Sequence, residues 1–170
     1  GNRDQGDAVL SPDKAAREFQ ACGSKWAKDH IPDDIDCATR AALAEKVALA
    51  ADATDAPVFA GWRELAVPTN LKAAAAHHMN SLRELRFALH ANAIKAQGVA
   101  AHDAVTHRQP HMIPIFGYAG PAELTPETIG DWDKAEADTN AAMTKALAVL
   151  SSEELDTFVA LANAAYAATA

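Results

Sequence analysis

The chain has 170 residues, 49% of them hydrophobic and 22% charged, with 15 Lys and Arg against 23 Asp and Glu for a formal net charge of −8. Those figures suit one globular domain, and no apolar run approaches the roughly 20 residues that cross a bilayer. Alanine is about a quarter of the chain while β-branched and aromatic residues are few, which disfavours a β-sandwich and favours thin, closely packed helices.

Residues 1–10 are polar and read as a flexible arm, leaving residues 11–170 as a single all-α domain. Ser11-Pro12-Asp13 carries the signals of a helix start: a side-chain acceptor, a proline where no N–H is needed, and an acid at the positive dipole end. The first helix should stop near His30, before Pro32. Ala15, Phe19, Cys22 and Trp26 recur at spacings of four, three and four and are expected to form its buried stripe. Asp33 or Asp34 is expected to cap a second helix running to about Ala53. Cys37, Ala41, Ala44, Ala48 and Ala51 line one side of it, with Leu43 and Val47 adjacent, so it should be the most crowded element.

After Asp55-Ala56-Pro57, the segment Val58 to Trp62 is long enough for one or two turns, and its two aromatics should plug an end of the bundle. Pro68-Thr69-Asn70 opens the longest pattern, with Leu71, Ala75, His78, Leu82, Leu85, Leu89, Ala93 and Ala96 on one stripe. It could extend to about Arg108 with a bend or break at Gly98. Pro110 to Thr125 is a loop rich in apolar groups, which must pack back or line something. Thr125-Pro126-Glu127 starts a further helix with Ile129, Trp132, Met143, Leu147 and Leu150 on one stripe. Ser151 and Glu154 form a capping-box pattern for the last helix, with Leu155, Phe158, Val159, Ala162 and Tyr166 inward. The expected architecture is an antiparallel up-and-down bundle of four long helices with a fifth, C-terminal helix alongside.

Cys22 and Cys37 are the only thiols and fall in adjacent helices. An ideal hairpin offsets them by a few residues, yet two inward cysteines in neighbouring elements favour a bridge, and with it a periplasm, the cell exterior or a lipid anchor at a bacterial envelope. Reduced cysteines would place the chain in the cytoplasm. The basic side chains look dispersed, which argues against nucleic acid and against anionic lipid.

Six of the seven histidines lie between His77 and His111. His78 sits on the apolar stripe beside His77, as a core histidine or as a haem or metal ligand. His102, Asp103, His107 and His111 have spacing that a divalent metal tolerates, though helix-end histidines explain them equally well. Arg83, Arg86, Phe87 and His90 share a side of the long helix, either as a solvated flank or as a contact for an anionic ligand or acidic partner. His111, Met112, Phe116 and Tyr118 are the corresponding candidates in the apolar loop. No Glu-x-x-His, His-Glu-x-x-His, nucleophile-elbow, phosphate-loop or covalent-haem motif occurs. The sequence therefore points to a non-enzymatic, secreted or lipoprotein-like module, monomeric or homodimeric, that binds a protein partner or small ligand. A haem or metal carrier and a small hydrolase or lyase without a recognisable motif are the alternatives.

Overall fold

The computed structural model describes residues 9–169, and the expectation of a flexible arm falls mostly on residues 1–8, outside the described residues. Seven α-helices and no strand occur among the described residues: α1 (Pro12–His30), α2 (Cys37–Ala50), α3 (Pro57–Glu64), α4 (Leu71–Ala96), α5 (Ala101–Arg108), α6 (Pro126–Leu147) and α7 (Ser152–Thr169). A 3-10 turn, Pro110–Met112, follows α5. The all-α expectation holds, but four long helices plus a fifth becomes seven, because the longest pattern divides and the Val58 to Trp62 segment forms a helix of its own.

The division is made by Gly98, which takes φ +73°. Its N–H donates to the Lys95 carbonyl and the Val99 N–H to the Ile94 carbonyl, the paired bonds of a Schellman terminus. A side chain at Gly98 would meet no neighbour but would strain the backbone. Helix α2 starts later than expected. Asp36, not Asp33 or Asp34, caps it by accepting from the Thr39 N–H at 3.0 Å and the Thr39 hydroxyl at 2.7 Å, while Asp33 pairs with Lys72 of α4. At the other end of the chain, Ser151 and Glu154 form both reciprocal capping bonds.

Helix α4 is the hub, packing against α1, α2, α3 and α6, whereas α2 rests on α4, α7 and, more lightly, α6. The main core joins Leu43, Ala44, Val47 and Ala48 of α2 to Phe59, Leu82, Leu85, Leu150 and Phe158. A smaller core joins Ala27 and Ile31 to Cys37, Ala41, Ala74 and Ala75. Alanine on both sides lets these backbones approach closely. Arg63 locks α3 to the end of α2, donating to the Ala48 and Ala51 carbonyls that the helix leaves unpaired, and lies 4.8 Å over the Phe59 ring.

Three expected inner faces are displaced. On α1 the stripe Ala15, Phe19, Cys22 and Trp26 is exposed, with Phe19 60% and Trp26 46% accessible, and the helix docks instead through Ala16, Gln20, Ser24 and Ala27. The alanines of α4 admit only small partners, and Gln20 ties the contact by donating to the Ala66 carbonyl and to His77. On α7, Val159 and Tyr166 face outward while Phe158 and Ala165 are buried. On α4, Leu71 is exposed and burial fades after Leu85.

The cysteines are not bridged: Cys22 is exposed and Cys37 buried. Helix α1 runs unbroken past Cys22 to His30 and turns that residue away from α2. Burial also raises the Cys37 thiol pKa above its ordinary value, so it acts as a small hydrophobe. The envelope placement loses the bridge on which it rested. No described helix is long and apolar enough to cross a membrane.

Candidate functional site

The histidine expectations separate into three environments. His77 and His78 are both buried on α4. The His77 ring packs against Trp62 and His78, and Gln20 donates to its Nδ1 at 3.0 Å, which leaves the proton on Nε2. Burial, reinforced by the neighbouring His78, lowers its pKa to about 4, so it is neutral at physiological pH. His78 is also shifted down by burial, with Glu45 at 3.9 Å partly opposing the shift. Both line a cavity of about 110 Å³, and His77 also lines one of about 200 Å³ toward α1; each has room for water and is too small for a macrocycle. These are core histidines.

On α5, His102 stacks on Tyr118 with centroids 4.0 Å apart and places Nε2 2.7 Å from the Gly120 carbonyl. His107 packs edge-on against Trp132, and His111 is exposed. The apolar loop therefore folds back on α5, helped by the Ala122 N–H donating to the Thr106 hydroxyl. His102, Asp103, His107 and His111 do not converge: among the described residues no group of three or more His, Cys, Asp or Glu is placed to hold a metal.

Arg83, Arg86, Phe87 and His90 also divide. Arg86 pairs with Glu136 of α6 at 3.0 Å, and His90 bonds the Thr139 hydroxyl at 3.0 Å beside Trp132. Arg83 pairs with Glu84 on its own helix, and Phe87 is exposed. Of the loop candidates, Met112 and Tyr118 are half-buried and Phe116 is exposed. No hydrogen bond, ion pair or ring contact joins this strip to the loop among the described residues.

The sequence reading missed a face of α1. At about 100° per residue, Lys14, Arg17, Lys25 and Lys28 fall within a sector of about 80°, and all four are exposed. Lys25 bonds Asp29 at 2.5 Å, while Lys14, Arg17 and Lys28 have no ion-pair partner among the described residues. The sector lies beside the docked face and spans about 21 Å along the helix axis. Spacings of three, eight and three were the available signal.

An all-helical protein whose first helix packs mainly on α4 and turns cations outward has the makings of a surface that meets an extended anion. A helix-turn-helix family matches residues 3–119. That is more than half the chain, and the chain belongs to this family. No curated protein and no solved structure matches it.

Membership overturns the secreted or lipoprotein-like binding module and its carrier alternative, and it overturns the exclusion of nucleic acid. The charge argument failed because it took the basic side chains as dispersed, whereas Lys14, Arg17, Lys25 and Lys28 gather on one face of α1 although they are spread along the sequence. Residues 3–119 hold 13 basic and 14 acidic residues, net −1, whereas residues 120–170 hold two against nine, net −7. Seven of the eight net negative charges thus lie outside the family segment.

Proposed function

We propose that this chain binds nucleic acid through the outer face of α1, mainly by phosphate contact. The observation that carries the reading is the sector of Lys14, Arg17 and Lys28 on a helix of a helix-turn-helix family member. Helix-turn-helix proteins usually read bases with the second helix of the pair. Here α2 offers little for that: Ala38 and Ala42 face outward, and Lys46 is held by Glu154 of α7. Helix α3 turns Pro57, Val58, Gly61 and Glu64 outward while its only cation, Arg63, is committed to α2. Among the first three helices, the donors left for a polyanion are those of α1, and phosphate contacts fix position without reading sequence. With both cysteines unbridged, a cytoplasmic placement accompanies this reading.

The test is fluorescence anisotropy of a labelled DNA duplex of mixed sequence across a salt series. Three phosphate contacts predict that log K falls against log salt with a slope of about −3. Replacing Lys14, Arg17 and Lys28 together with Gln should flatten the slope almost to zero. Absence of binding at low salt, or a slope unchanged in the triple variant, would refute the reading.

A further inference from the structure

A groove of about 390 Å³ lies where α1, α2, α4 and α7 meet, with Trp26, Arg40, Met79, Asn80, Arg83 and Tyr166 among its walls. Two donors in it are out of water and without a partner: Arg40 Nε and Asn80 Nδ2. Among the described residues no carboxylate pairs with Arg40, and burial lowers its pKa below the usual guanidinium range. A guanidinium Nε and an amide donor, both out of water on two residues that line one groove, are costly unless something accepts from them. Groups of this kind in folded proteins are nearly always satisfied.

The walls say what the acceptor is. Among the described residues no Asp or Glu lines the groove, so none of them would hold a cation there. Arg83 adds positive charge, its one partner Glu84 lying on the same helix. The other walls are apolar apart from Thr169, whose hydroxyl donates to the Ala165 carbonyl, and the Trp26 and Tyr166 rings stand partly in solvent. We infer that this groove binds a small organic acid with a flat apolar body, its carboxylate accepting from Arg40 and Asn80 and its body lying along Met79 between the two rings. A planar guanidinium suits a carboxylate, and the volume is in the range of small-molecule sites. The bound acid would tie α7, which lies beyond the family segment, to three helices within it. This inference stands apart from the nucleic-acid reading and is tested without DNA.

The experiment titrates the full chain with naphthoate by calorimetry, using naphthalenemethanol as the neutral counterpart of equal shape. Naphthoate should bind one to one, the alcohol should bind at least about tenfold more weakly, and Arg40→Met should cost the acid a comparable factor. Arg40→Met should leave the thermal midpoint of the ligand-free protein unchanged or raised, since it removes a buried donor that has no partner. A purely structural arginine would lower it instead. Arg40→Lys keeps the charge but loses the planar donors, so it should fold and still bind the acid weakly. Equal binding of acid and alcohol, no saturable binding of naphthoate, or unchanged affinity in both variants would overturn the inference.

Discussion

Helices α2 and α1 both carry alanine and both show a clean helical period, yet one buries the expected face and the other turns it to solvent. On α2, Cys37, Ala41, Ala44 and Ala48 are buried as their spacing suggests, and Leu43 and Val47 complete a face pressed on α4 and α7. On α1, the residues with the most apolar area stay outside, and Ala16, Gln20, Ser24 and Ala27 make the contact. The difference lies in the partner. The stretch Ala73 to Ala76 of α4 forms a shallow, tight surface that small side chains match better than rings do. Periodicity reports that a helix has faces, and the complementary surface decides which one docks.

Substitutions can sharpen or break that contrast. The largest effect belongs to the core that α2 shares: Phe59, with 0% exposure, should cost about 3 to 5 kcal/mol as Phe59→Ala in chemical denaturation. Next comes the buried histidine under α1. The His77 pKa is depressed to about 4 in the folded chain from an ordinary value of 6.5. The unfolded chain therefore takes up the proton first, and the stability present above pH 6.5 is lost as pH falls toward 4. A shift of this size amounts to as much as about 3 kcal/mol. His77→Phe should flatten that part of the pH–stability curve, and an unchanged curve would show that the ring is not desolvated as described. Enlarging the docked face by Ala27→Leu should overpack the α1–α4 contact and cost about 1 to 3 kcal/mol. The smallest effects belong to the outer stripe, where Phe19→Ala and Trp26→Ala should each cost less than about 1 kcal/mol. A loss as large as that of Phe59→Ala at either position would erase the contrast.

Much of the fold was legible in the sequence because local signals set it. Caps and prolines placed the starts of α1, α4, α6 and α7, and Gly98 marked the break between α4 and α5. The start of α2 was misplaced because three aspartates, Asp33, Asp34 and Asp36, compete for one cap. Only the one whose Thr39 follows three residues later gains two bonds from it. The expected disulfide failed for the same reason as the α1 stripe: spacing does not reveal which way Cys22 faces. The histidine cluster suggested a metal or haem site because the residues lie close along the chain, yet their rings are taken up by Trp62, Trp132 and Tyr118. The cations of α1 were missed because spacings of three, eight and three read as dispersed along the chain and come together only on the helix face. Neither orphan donor of the groove could be read from the sequence, because each is defined by what three other helices leave unpaired.

The central claim is that the outer face of α1 meets nucleic acid, and amide chemical-shift mapping of the labelled chain against a DNA duplex at low salt tests it most directly. The account predicts that the largest shifts fall at Lys14, Arg17, Ala21, Lys25 and Lys28 and vanish as salt is raised. Shifts concentrated on α2 and α3, on the loop after α5, or nowhere would contradict it.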